Sequence, residues 1–170
     1  IEATPREEFV PASMTSSAYE NSALGIGCGQ TISQPYIVAL MTQALQLQGR
    51  ERLLEIGTGS GYQCAILAQL AAEVYSIERI AELSERAGEV LGRLGFVNVH
   101  LRIGDGGLGW PEAAPFDGVL VTAAAPKIPA PLLEQLADGG TLVLPLGDPQ
   151  HQTLTAVRRE GRRIHQRTLC

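Results

Sequence analysis

The sequence predicts an α/β protein of doubly wound type: a mostly parallel sheet covered by helices, with an antiparallel hairpin at its C-terminal end. Three observations carry this. Short apolar, β-branched runs alternate with segments of helical periodicity from Leu53 onward. Glycine-rich or acidic loops follow successive strands, at Gly57-Thr58-Gly59-Ser60-Gly61, Glu78 and Gly104-Asp105-Gly106. Two polar β-branched runs flank Glu160-Gly161 at the end of the chain.

Taken in order, residues 53–56 form the first strand of this alternation and residues 61–71 its first helix. The second strand, residues 74–77, ends at Glu78. In the next helix Leu83, Ala87, Val90, Leu91 and Leu94 fall on one face at helical spacing, and Gly95 stops it. Residues 97–103 and 116–122 are the third and fourth strands. Residues 131–137 read as a helix closed by Gly139-Gly140, ahead of a fifth strand at 141–146. The hairpin takes residues 153–159 and 162–169. Residues 1–33 read as irregular and lead into a helix over about 35–47. A chain of 170 residues is expected to be a single domain. Residues 1–50 are expected to drape over the C-terminal edge of the sheet as a lid or substrate wall, since ligands bind there in open parallel sheets.

Composition narrows the function. The formal charge of −5 argues against a nucleic-acid surface, which needs a basic face. Arg158, Arg159, Arg162, Arg163 and Arg167 read as solvated hairpin charges. Cys28, Cys64 and Cys170 are too widely spaced for a disulfide framework or a clustered metal site, and His100, His151 and His165 are equally scattered. No metal is expected. With no apolar run near the ~18 residues of a membrane span, the chain is expected to be soluble, cytoplasmic and without a membrane partner.

The most informative stretch is Leu53-Leu54-Glu55-Ile56-Gly57-Thr58-Gly59-Ser60-Gly61. Glycines admit a ligand close to the backbone, and the helix that follows offers N–H groups to an anion. A dinucleotide fingerprint requires G-x-G-x-x-G; here the third glycine comes one residue early, which disfavours pyrophosphate and a nicotinamide oxidoreductase. The pattern resembles the first motif of S-adenosylmethionine-dependent methyltransferases. Glu78, seventeen residues after Gly61, suits a ribose diol, although an ion pair with Arg79 would explain it as an isolated residue. Asp105 suits an adenine amino group, or else a turn. Ser33, ahead of Pro35, reads as a helix N-cap that can also orient an anion. Thr122-Ala123-Ala124-Ala125-Pro126 lacks the Asn/Asp-Pro-Pro-Tyr/Phe run of nitrogen methyltransferases, and there is no Pro-Cys pair for attack on a pyrimidine. What remains is a nucleophile that needs little activation. A carboxylate, ionised above about pH 4, attacks a sulfonium methyl without a general base, so alignment and desolvation would carry catalysis.

Across nearly its whole length the chain resembles the protein-L-isoaspartate O-methyltransferase family. The matching blocks are Arg6-Glu7-Glu8-Phe9-Val10-Pro11, Ala18-Tyr19, Gly29 to Pro35, Leu54 to Gln63, Ile77-Glu78-Arg79, Gly104-Asp105-Gly106 and Ala113 to Asp117. The resemblance implies methyl transfer from S-adenosylmethionine to the free α-carboxylate of isoaspartyl residues in damaged proteins and peptides. The ester then cyclises to a succinimide that partly reopens as aspartate. It implies Ser33 as the active-site residue. Cofactor contacts would fall on Thr31, Ile32 and Ser33, on Glu55, on Gly57, Thr58, Gly59, Ser60 and Gly61, on Glu78 and Arg79, and on Gly104 and Asp105. A monomer is expected. Family members carry a further helical stretch before the Phe-Val-Pro segment and a last strand ending in a Phe-Val-Pro-Leu-like sequence, neither matched within these 170 residues; without them, cofactor binding could survive while repair fails. Two other readings remain open at this point: a methyltransferase of the same fold acting on a small carboxylate or hydroxyl compound, and a module that binds cofactor or damaged peptide without turnover.

Overall fold

In the computed structural model, which describes residues 3–147 and 151–170, a seven-stranded sheet is built from β3 (Arg52–Ile56), β4 (Glu73–Glu78), β5 (Val99–Ile103), β6 (Phe116–Val121), β7 (Leu136–Gly147), β8 (Gln152–Glu160) and β9 (Arg163–Thr168). The strand order is β5-β4-β3-β6-β7-β8-β9. The first five are parallel, and β8 and β9 add antiparallel. The chain leaves β3 toward β4 and β5, then returns to lay β6 on the opposite side of β3. The C-terminal ends of β3, β4 and β6 therefore diverge around a crevice, as the topological rule for open sheets requires.

Strand alternation divides the core in two. Leu53, Val74, Leu120 and Val143 face α1 (Pro35–Ala44), α2 (Tyr62–Ala68) and α3 (Ala81–Arg93). Leu54, Ile77, Val119, Val121 and Leu142 face α4 (Ala130–Glu134) and the short 3-10 turns at Gly106–Leu108 and Pro111–Ala113. The helical stripe read from the sequence is the buried face of α3, with Leu83, Ala87 and Leu91 nearly inaccessible.

Several boundaries differ from the sequence reading, each for a visible reason. The third strand begins at Val99, because Val97 is 93% exposed and the Asn98 side chain instead donates to the carbonyls of Ala68 and Ala71 at 2.9 and 3.2 Å, closing the end of α2. The helix expected over 131–137 stops at Glu134 and β7 starts at Leu136. Gln135 is responsible: its carbonyl accepts from Phe116 N–H at 2.9 Å, and its side chain accepts from Trp110 N–H (2.7 Å) and donates to the Leu108 carbonyl (2.9 Å). Gly139-Gly140 thus sits inside a strand whose register shifts, rather than at a helix C-cap. Of the terminal arginines, Arg159 is not merely solvated, since it donates to the Leu136 carbonyl at 2.6 Å. The segment expected to be irregular contains 3-10 turns at Arg6–Phe9 and Ala12–Ser17 and an antiparallel hairpin of β1 (Leu24–Gly27) and β2 (Gln30–Ile32). The described residues hold no helix long and apolar enough to cross a membrane.

One polar chain lies inside the first core. Glu55 and Ser76 are register partners on neighbouring strands, both wholly buried under α2. Ser76 donates to the Glu55 carboxyl at 2.5 Å, and the Thr58 hydroxyl joins Ser76 at 2.6 Å. Burial pushes the Glu55 pKa up to about 8, with the Ser76 and Cys64 hydrogen bonds offsetting only part of the effect and nearby Glu78 adding to it. The unfolded chain loses this proton near 4.5, whereas the folded chain keeps it until about 8. Folding stability contributed by Glu55 is therefore full below pH 4.5 and is lost as pH rises to about 8, at up to about 1.4 kcal/mol per unit. Glu55→Gln is expected to remove that slope. Urea unfolding of both proteins at pH 5, 6.5 and 8 checks it; parallel stability curves would contradict the assignment.

Candidate active site

The loop after β3 is shaped by close approach. Gly57 has φ +94° and lies so near Thr122 that a Cβ would collide with the threonine hydroxyl. That hydroxyl reaches the carbonyls of Ile56 (3.0 Å) and Gly57 (2.8 Å), fastening the loop to the end of β6. Gly61, φ +88°, would place a Cβ 3.2 Å from Ala87 and so lets α2 start tight against α3. From the other side Glu78 spans the loop: one carboxylate oxygen accepts from Gly59 N–H at 2.9 Å and the other from Ile80 N–H at 3.0 Å. Backbone amides, not Arg79, are thus its partners, and each oxygen retains a lone pair.

The crevice above this loop has a volume of about 440 Å³, within the range of small-molecule sites. Of the residues singled out in the sequence, Thr31, Ile32, Ser33, Gly57, Thr58, Gly59, Ser60, Glu78, Arg79 and Asp105 line it. Three do not. Glu55 is a correction to the expected contacts: strand alternation turns its side chain under α2, one layer below the loop. Gly61 is taken up by packing on α3. Gly104 is held in the sheet through its N–H to the Glu78 carbonyl at 2.9 Å, and leaves the crevice wall to its neighbours. Asp105 is also a turn residue, accepting from Gly107 N–H at 2.8 Å.

Ser33 is placed differently from the expected N-cap. The helix N-cap is Gln34, which makes no side-chain capping bond; Asn21, from the N-terminal segment, accepts from Tyr36 N–H at 3.1 Å instead. Among the described residues the Ser33 hydroxyl has no hydrogen-bond partner, so it stands in the crevice wall uncommitted. Residues not singled out as binding contacts also line the site: Gln30, Tyr62 and Gln63, and Thr122-Ala123-Ala124 at the end of β6. Tyr62 was legible as the residue after the glycine motif. The β6 tip carried no signal of its own beyond its place at the reversal of strand order.

The polar lining is chemically specific: a tight loop whose Gly57, Gly59 and Gly61 N–H groups are already held by Ile77, Glu78 and Thr58, a carboxylate at the end of β4 and another just past β5, and the Ser33 hydroxyl in the same wall set. This suits a ligand with a zwitterionic head, a diol and a flat base, and no cluster of His, Cys, Asp and Glu that could hold a metal occurs among the described residues. Comparison with known proteins agrees. The family model described as protein-L-isoaspartate(D-aspartate) O-methyltransferase matches residues 1–170. A protein-L-isoaspartate O-methyltransferase of Dictyoglomus thermophilum is 57% identical over 165 residues, covering 97% of this chain and 75% of its own length. A solved protein-L-isoaspartate O-methyltransferase superposes with TM-score 0.90 at 30% identity over 98% of this chain, which spans 56% of that longer protein. A Plasmodium falciparum protein described as a putative member, in complex with S-adenosyl-L-homocysteine, shares the fold with TM-score 0.78 at 22% identity, over 96% of this chain and 81% of its own. The sheet, the glycine loop and these likenesses lead to one conclusion: the chain belongs to the protein-L-isoaspartate O-methyltransferase family, which uses S-adenosylmethionine as its cofactor.

Proposed function

We propose that this chain transfers a methyl group from S-adenosylmethionine to the free carboxylate of L-isoaspartyl residues in damaged proteins and peptides. The observation that carries this reading is the convergence, in one crevice, of the glycine loop, Glu78 and Asp105 on one side and the uncommitted Ser33 hydroxyl on the other. In the proposed arrangement the loop from Gly57 to Ser60 holds the methionyl end, Glu78 the ribose hydroxyls and Asp105 the adenine. Arg79, Thr31 and Ile32 close around them, and Glu55 and Gly61 act from below by fixing the loop.

When bound, the cofactor supplies an electrophilic sulfonium methyl. Ser33 donates its hydroxyl proton as a hydrogen bond to the acceptor carboxylate and orients one carboxylate oxygen for in-line attack. No protein base is needed, because the acceptor is already ionised at neutral pH. The walls from residues 30–33 and 122–124 exclude water, which would otherwise solvate that oxygen and lower its reactivity. Orientation of this kind supplies up to about 7–11 kcal/mol in well-aligned pairs. We further propose that residues 1–170 work as one domain, with residues 1–50 forming the lid or substrate wall. A monomer without nucleic-acid or membrane partners is proposed, the net charge of −5 disfavouring a nucleic-acid surface. Three free thiols, Cys28, Cys64 and Cys170, support a reducing, cytoplasmic location.

Two measurements test this. Turnover of an isoaspartyl peptide beside its aspartyl twin is expected to show methyl ester, released as methanol, from the first alone. Equal turnover of both would favour a broader carboxylate methyltransferase, and binding without turnover a passive module. Glu78→Ala is expected to weaken S-adenosylhomocysteine binding by several-fold or more in a calorimetric titration, since charge-assisted hydrogen bonds contribute about 1.5–3 kcal/mol; unchanged affinity would remove Glu78 from the site.

A further inference from the structure

Arg6 is wholly buried, and no carboxylate pairs with it among the described residues. Its Nε donates to the Ala18 carbonyl at 2.7 Å and its Nη2 to the Ser33 carbonyl at 2.7 Å, joining two segments 15 residues apart in sequence. The guanidinium carbon sits 4.7 Å from the centroid of the Tyr62 ring, which itself lines the crevice. Nη1 and the Tyr62 hydroxyl are both buried, and among the described residues neither makes a hydrogen bond. An unpaired buried cation is costly, and a neutral side chain could tie together two loop carbonyls at less expense. The charge is placed instead directly behind Ser33, which lines the crevice and whose hydroxyl has no partner among the described residues.

We propose that Arg6 is a positioning residue for methyl transfer: it grips Ser33 by its carbonyl and Tyr62 by its ring face, and so fixes where the Ser33 hydroxyl meets the acceptor carboxylate. The planar guanidinium is suited to this, because its rigid fork reaches both carbonyls while its face lies on the ring. A lysine keeps the charge but, as a point donor, cannot hold all three contacts. Asn21 secures the start of α1 through Tyr36 N–H, so the backbone is held at the Ser33 carbonyl and again three residues on, while the Ser33 side chain is left free.

The inference rests on the proposed methyl transfer, so wild-type turnover of an isoaspartyl peptide is measured first; an inactive wild type overturns both, and an active one isolates this claim. Arg6→Lys is then compared with wild type, Ser33→Ala and the double variant, reading kcat, KM, the S-adenosylhomocysteine Kd and the thermal midpoint. Arg6→Lys is expected to lower kcat tenfold or more while cofactor Kd stays within threefold and the midpoint within a few degrees. In the Ser33→Ala background the same change is expected to lower kcat by less than threefold, because Arg6 acts through Ser33. Arg6→Gln, which removes the buried charge and keeps one amide donor, serves if Arg6→Lys does not fold, with the same expectations. The proposal is overturned by an unchanged kcat, by losses that multiply in the double variant, by a loss that tracks cofactor affinity, or by failure of both variants to fold.

Discussion

The loop after β3 is fastened by its neighbours before any ligand arrives, and the site depends on that. Thr122 holds the carbonyls of Ile56 and Gly57 from β6, Glu78 holds Gly59 N–H from β4, and Ser76 holds Thr58 from beneath. Two strands, one on either side of β3, thus set one short stretch of backbone. Each tie requires the parallel register between β3 and its two neighbours, which brings Glu55 beside Ser76 and Leu120. A slip of one residue would part Glu55 from Ser76 and turn the slipped strand's member of the pair out of the core. Preorganisation of this sort is what lets a site recognise a small zwitterion without reordering itself.

The opposite wall has another origin. It is not part of the sheet but of the N-terminal segment, whose hairpin of β1 and β2 is held to α3 by Arg86 donating to the Ile26 carbonyl at 3.2 Å. That hairpin delivers Thr31, Ile32 and Ser33 to the crevice mouth. The two walls of the crevice are therefore built by different parts of the chain, and α1 and α2 are joined by Gln63 donating to Thr42 at 2.9 Å. A separation of this kind lets one wall vary without disturbing the other.

Much of the fold was legible because its signals are local. The glycine spacing, the acid at the end of β4 and the apolar stripe of α3 each follow from backbone geometry or periodicity, and each stands where the sequence places it. The differences arise where distant residues decide. Gln135 is drawn into the sheet by Trp110, Leu108 and Phe116, which no window around residue 135 contains. The hairpin of residues 24–32 alternates buried Leu24 and Ile26 with exposed glycines, a period-two pattern too short to stand out among so many glycines. Ser33 carried the right residue type for an N-cap, yet Asn21 supplies the capping oxygen from fifteen residues away. Arg6 gave no sign in composition that it would be a buried cation. Glu55 shows the opposite error: it belongs to the motif, but its parity on β3 puts it under the loop rather than in the crevice.

In the proposed arrangement the tips of β3, β4 and β5 hold one adenosyl-amino acid with its sulfur turned toward Ser33, and a crystal structure with S-adenosylhomocysteine is the decisive measurement. Ribose hydroxyls are expected on Glu78, the base beside Asp105, the amino-acid end on the loop from Gly57 to Ser60, and the sulfur facing the Ser33 hydroxyl. Ligand bound elsewhere, or bound there with Ser33 turned away from the sulfur, would contradict it.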